Sequence, residues 1–425
     1  MRGASAAALV LSSSVSALTA AASPAAGACP AFPANNVWNT DISALPVHPS
    51  SAAWLGNMGG PSRLLHPDFG PSGGYPYGIP FNLVDASHPK INIAFTYSSE
   101  SDHVPYPFGS DTSIEGGPGA TGDRHAIMID QSTCTLYELY NAQYNGPTGS
   151  TAGSGATWSL AGNGLRPAGW TSADAAGLPI FPGLLRVEEV NAGSVQHALR
   201  FTAQQTDRSY IWPARHQAGA ASNPSLPPMG ARFRLRTGFD TSRFSAATQV
   251  VLKAMKHYGL ILADNGSNWY FQGAAETGWS DTMISELKTI PAGQFDAIDE
   301  SSLMIDPNSA QARQQAAAPA PSPAPRPAPI VAAAPPVILP TSLSPTDAAT
   351  AAPGGDLTRY MVGRGAYGAP AADRPAVAAH GPTGYRDPTL AALLVAVGVL
   401  LAIAVALWLW WRRRGRRVSP SRPLS

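Results

Sequence analysis

The stretch His125-Ala-Ile-Met-Ile-Asp130, a short break at Gln131–Cys134, and Thr135-Leu-Tyr-Glu-Leu-Tyr140 read as two strands joined by a tight turn. Side chains alternate across a strand, so His125, Ile127 and Ile129 share one face of the first, and Leu136, Glu138 and Tyr140 one face of the second. Working outward, further short runs follow at 79–84, 91–98, 184–190, 196–202, 209–213 and 231–236, separated by Gly, Pro, Asn and Ser clusters. Strands of this length and punctuation predict a mainly β fold of the β-sandwich or jelly-roll kind. Asp264-Asn265-Gly266 predicts a second hairpin, because Asn-Gly favours the primed turn.

Two helices interrupt the strands. Ser245 caps a helix with Ala247, Val250, Val251, Ala254, Met255 and Tyr258 as its apolar stripe, and Gly259 supplies the left-handed stop. A shorter one starts after Ser280 and ends before Pro291.

The two ends read as addresses. Residues 1–28 have the pattern of a secretory signal, with Arg2 alone as charge and Ala26-Gly27-Ala28 as small residues before Cys29. A lipoprotein signal acylated at Cys29 is the alternative. Residues 389–411 are 23 uncharged, Leu- and Ala-rich residues ending in Trp408, Trp410 and Trp411, and five Arg follow within 412–417. That is a transmembrane helix with an aromatic belt and a cytoplasmic basic tail at 412–425. Residues 29–306 would then be an extracellular domain. Residues 307–388, with nine Pro between Pro319 and Pro340, would be an extended, disordered stalk.

Net charge is +1 over the chain, but 29–306 carries 15 Lys and Arg against 23 Asp and Glu, a net of −8. An acidic main domain excludes nonspecific nucleic-acid binding. The two cysteines, Cys29 and Cys134, are too few for a disulfide scaffold or a Cys-rich zinc module and predict one bridge. Its loop is long, which in the chain-entropy picture is worth ~4 kcal/mol.

No familiar catalytic signature occurs. Candidate chemistry rests on polar residues that alternation turns inward. His125 and His197 each share a strand face with bulky apolar residues, and Glu138 lies between Leu136 and Tyr140. The loop 163–179 holds Arg166, Trp170 and Asp174 close together. These give candidate catalytic residues Asp174, His125, His197 and Glu138. Arg166, Trp170, Trp212 and Arg234 are candidates for substrate binding, Arg234 as part of an anion-gripping row with Arg232 and Arg236. The bland reading of each is a satisfied core histidine, a turn-capping acid or a solvated basic face. His125, His197 and His216 could hold a metal, but their spacing does not single out a site. No cofactor is expected.

The strings ATGDRHAIMID, GLRPAGWTSADAAGLPI, HALRFT, PPMGARFRLR and ADNGSNWY resemble a group of secreted bacterial proteins of similar domain size whose activity is not established. The resemblance spans about 35–306, implies one intact exported domain, and transfers no catalytic residue. The stalk and anchor fall outside it. Export, a β-sandwich-like pattern, Trp and Tyr richness and polar residues on otherwise apolar strand faces give as the expected function glycan cleavage at the cell surface by an extracellular domain tethered to the cell membrane. The chemistry is either hydrolysis by paired carboxylates or lyase chemistry on a uronate using Arg, His and Tyr, with a polysaccharide or cell-wall ligand as partner. The alternative is a non-catalytic glycan-binding or adhesion domain.

Overall fold

The computed structural model describes residues 25–71 and 76–314. The proposed span at 389–411, the basic tail, nearly all of the stalk and most of the signal sequence lie outside them. No helix among the described residues is long and apolar enough to cross a membrane.

The domain is mainly β. Its two principal sheets use ten strands: β1 His66–Asp68, β2 Phe81–Val84, β3 Ala126–Asp130, β4 Thr135–Tyr140, β5 Ser154–Ser159, β6 Leu199–Ala203, β7 Arg232–Leu235, β8 Leu260–Asn265, β9 Tyr270–Gln272 and β10 Phe295–Ile298. The described helices are α1 Ser51–Asn57, α2 Val187–Asn191, α3 Ala246–His257 and α4 Asp281–Leu287. One sheet has the order β2-β3-β4-β5, the other β10-β7-β8-β6-β9-β1. Both are mixed: β2 runs parallel to β3, β6 to β8, and β9 to β1.

The hairpin at 125–140 forms as its alternation predicts, with Ile127 opposite Glu138 and Asp130 opposite Thr135. All of β3 is buried because both faces are covered. Ile127 and Ile129 join the main core, while Ala126 and Met128 pack into a second cluster with Tyr106, Phe108 and Leu139. The main core centres on Phe201, Phe233, Trp269 and Phe295, whose neighbouring rings stand 5.4 Å apart. Cys29 and Cys134 form the expected bridge, with Cα atoms 5.4 Å apart, and so fasten the start of the domain to the β3–β4 turn.

Ser245 caps α3 by accepting from the Thr248 amide, and Gly259 ends it at φ +69°, where a Cβ would meet the Phe233 carbonyl at 2.5 Å. The buried stripe of α3 is turned from the expected one. Thr248, Val251, Leu252, Ala254 and Met255 face inward, and Ala247, Val250 and Tyr258 pack at its edge.

Four sequence expectations need correction. Residues 184–190 are not a strand: a 3-10 turn at Phe181–Gly183 leads into α2, whose Glu189 carboxylate accepts from the Arg186 amide and closes the first helical turn. Tyr210 makes only an isolated bridge with Met229. The Asp264–Gly266 turn does not make a hairpin, because β6 inserts between β8 and β9 and takes the backbone groups of both. The domain also runs past 306. Ala310 donates to the Asn163 carbonyl and Ala312 to that of Asn35, both at 2.8 Å, and both alanines are buried.

Candidate functional site

On the face of the six-stranded sheet opposite Phe201 and Phe271, strands β6, β9 and β1 and the end of β8 carry polar residues. Thr202 is in register with Asp264 on one side and Tyr270 on the other, Tyr270 with His66, and Gln272 with Asp68. Residues in register share a face, as do residues two apart on one strand. Arg200, Thr202, Asp264, Tyr270, Gln272, His66 and Asp68 therefore line one surface. The β6–β8 register shifts between Phe201 and Thr202, an irregularity of the kind that re-aims side chains beside functional sites.

The loop at 173–175 and the start of β3 lie over this face. Asp174 is gripped by Arg200 through hydrogen bonds of 3.1 and 2.9 Å, and Arg200 also stands 3.7 Å from Asp264. The Arg200 and Asp174 side chains are 2% and 0% exposed. His125 stands next to them: its Nε2 lies 3.1 Å from the Ala173 carbonyl and its Nδ1 lies 2.7 Å from Glu115 Oε2. Both ring nitrogens face acceptors, so both donate, which defines an imidazolium. Burial pulls its pKa down, but the Glu115 carboxylate outweighs this and raises it to about 9. Burial pushes Glu115 up, and the His125 charge and hydrogen bonds overcome that to hold the carboxyl below its usual range.

Asp264 goes the opposite way. Burial and the Asp174 charge raise it well above the ordinary aspartate value. Arg200 cannot prevent this, because Asp174 already uses its fork. Asp264 and Glu115 nevertheless keep 23% and 29% of their side chains open. Two carboxyls of opposite tendency thus border a floor of neutralised cations. Tyr140, raised to about 12 by burial and by the charges of Asp123 and Asp264, lies at the same edge, its ring 6.0 Å from that of His125. Arg124, just before His125, sits at φ +51°. Its guanidinium donates to the carbonyls of Gly117, Pro118, Ala120 and Ala142, tying down the loop that follows Glu115.

Of the sequence-predicted residues, His125 and Asp174 come together here, and Asp174 takes Arg200 rather than an imidazole as its partner. His197 lies 3.2 Å from Glu189 and 2.8 Å from the Ala198 carbonyl, within a separate Arg186–Glu189 cluster. Glu138 is fully buried and accepts from the amides of Ile180 and Phe181, so it caps the turn at 181–183. Burial raises it to about 7 against those hydrogen bonds. Arg234 shares the polar sheet face, but its Nη1 is spent on the carbonyls of Ile42, Ser43 and Leu45. Arg232 is buried against Glu300, and Arg236 pairs with Asp296. The expected anion-binding row is thus occupied internally. Trp212 donates to the Ser309 carbonyl, anchoring the segment after 306. Arg166 lies between Trp158 and Trp170, 5.8 and 5.5 Å from their rings, and pairs with Asp102 at 2.8 Å. His216 takes the Ala175 carbonyl at 2.8 Å, so the three histidines have separate partners. No group of His, Cys, Asp and Glu among the described residues is arranged to hold a metal.

Compared with models of protein families, with curated proteins and with solved structures, the chain gives no match.

Glu115, Arg200 and Asp264 were missed in the sequence. Arg200 alternates with Leu199 and Phe201, which puts it on the face assigned to solvent by default. Asp264 was absorbed into an Asn-Gly turn. The available signal was that Arg200 lies inside an otherwise apolar run.

Proposed function

We propose that this chain is an extracellular, membrane-tethered enzyme that hydrolyses glycosidic bonds at the cell surface, using Asp264 and Glu115. The observation that carries the reading is the opposed pair itself. Environments that push the pKa values of two carboxyls apart, here on either side of the Arg200 and His125 cations, assign an acid and a base. Asp264, whose burial and Asp174 neighbour favour the protonated form, gives its proton to the leaving glycosidic oxygen. Glu115, kept ionised by His125, acts at the anomeric carbon as nucleophile or by activating water. Arg200 and Asp174 fix the floor, and Tyr140 offers a ring edge to a sugar. The signal-like start, the Pro-rich segment and the apolar stretch at 389–411 support export and tethering. Two sheets over a shared core are in keeping with a sandwich-like scaffold. The internal pairing of Arg232, Arg234 and Arg236 disfavours lyase chemistry on a uronate.

A panel of polysaccharides incubated with the full chain and assayed for new reducing ends tests the reading. Activity should vanish in Asp264→Asn at an unchanged melting temperature, and in Glu115→Gln, which gives up the His125 ion pair and melts lower, at a temperature where the variant is still folded. Full activity in both variants defeats it. One observation favours the non-catalytic alternative: a recess of about 220 Å³ lined by Asp102, Trp158 and Arg166, without a carboxyl pair. Glycan binding that survives both substitutions but is lost in Trp158→Ala, with no turnover at all, would select it.

A further inference from the structure

We infer that the polar sheet face carries a second subsite, at Asp68, Tyr77 and Gln272, that binds the free amino group of an amino sugar; it rests on the hydrolase reading only in making that sugar a neighbour of the bond cleaved. Gln272 is 4% exposed, and its Oε1 is buried with no hydrogen-bond partner among the described residues. An unsatisfied buried acceptor costs free energy unless something donates to it. The amide Nε2 of the same side chain lies 3.4 Å from Asp68 Oδ2, so the orphan oxygen stands beside a carboxylate. Tyr77 donates its hydroxyl to the other oxygen, Asp68 Oδ1.

Tyr77 joins this cluster to the proposed centre. Its ring is open, at 43% exposure, and its hydroxyl is pushed up by burial, by Asp68, and more weakly by Tyr270 and Glu115. Tyr270, stacked on His66 at 3.9 Å, closes the outer end, where Arg63 and Lys288 act on His66. The cations at the centre, Arg200 and His125, are already paired. A ligand at Asp68 meets a carboxylate, with the unpaired amide oxygen of Gln272 buried beside it. An ammonium offers three donors and a compact charge. N-acetylation removes that charge and two of the donors, and a uronate brings a carboxylate against Asp68.

The full chain carrying Asp264→Asn, which allows binding without turnover, is titrated calorimetrically with a glucosamine hexamer, its N-acetylated counterpart and a uronate oligomer. The glucosamine oligomer should bind about tenfold more tightly than the acetylated one. Asp68→Asn and Tyr77→Phe, added singly, should each reduce that preference while acetylated binding holds. No glucosamine binding, equal or tighter binding of either other oligomer, or an unchanged preference in both variants at intact melting temperature overturns the inference. Cleavage is scored separately on the unaltered chain. Preference without turnover upholds the subsite and defeats the hydrolase reading; turnover without preference does the reverse.

Discussion

Arg200 holds Asp174 with two hydrogen bonds in a site closed to solvent, and the same guanidinium reaches to within 3.7 Å of Asp264. One cation therefore anchors a structural acid and floors a second acid that remains open. Removing it should cost more than removing the pair. Arg200→Met is expected to lower the unfolding free energy by about 3–5 kcal/mol, since it leaves Asp174 buried and unpaired. Arg200→Met with Asp174→Leu should recover most of that loss. Denaturant titration of the two variants checks this, and a single-variant loss below about 1 kcal/mol contradicts the buried pairing.

The His125–Glu115 contact should be visible in the pH dependence of stability. The folded-state pKa of His125, about 9, is above its ordinary 6.5. The contribution is therefore complete below pH 6.5 and is lost as pH rises towards 9. Unfolding free energy measured across that window should fall in the parent and be flatter in His125→Gln. The imidazole resonances of His125, followed by NMR, should titrate near the upper end of the window. Titration at or below 6.5 would refute the contact.

Glu138 is expected to behave as a cap. Glu138→Ala leaves the buried amides of Ile180 and Phe181 without their acceptor, at a cost of about 3 kcal/mol. Because burial raises its folded pKa to about 7, the parent should also lose stability as pH rises from 4.5 to 7, and the alanine variant should not. Loss of activity at unchanged stability would instead restore Glu138 as a catalytic group.

The true end of the domain can be located by truncation. Arg215 donates to the Pro307 carbonyl and to Asn308 Oδ1. A chain ending at 306 leaves those donors and Trp212 Nε1 unpaired, and should lose at least about 3 kcal/mol. A chain ending at 314 keeps them and should melt close to the parent. Equal melting of both would mean that the segment contributes nothing.

The sequence made the local features legible. The 125–140 hairpin, the Ser245 and Ser280 caps and the Gly259 stop each depend on residues within one turn or strand, and each formed. The candidate site was only half legible. His125 and Asp174 stood out as polar residues in apolar or loop-rich surroundings. Glu115, Arg200 and Asp264 did not, because what marks them is strand order. Nothing near Asp264 says that β6 will pair beside it, or that the sheet face holding Arg200 will be covered. Arg234 misled for the same reason: its partners, Ile42 to Leu45, are 189 to 192 residues away.

That strand order also sets a timetable. Strand β1 pairs with β9, and Asp68 and Gln272 are 204 residues apart. The four-stranded sheet can close once residue 159 has been made, since all its members lie between Phe81 and Ser159. The groove cannot. Asp68, Glu115, Asp174, Arg200 and Asp264 must wait until the last strands of the other sheet arrive, and contacts this distant in sequence are slow to form. A nascent chain interrupted between Ser159 and Gln272 would hold the members of the four-stranded sheet and an incomplete site, so ligand binding would report that the other sheet has formed as far as β9.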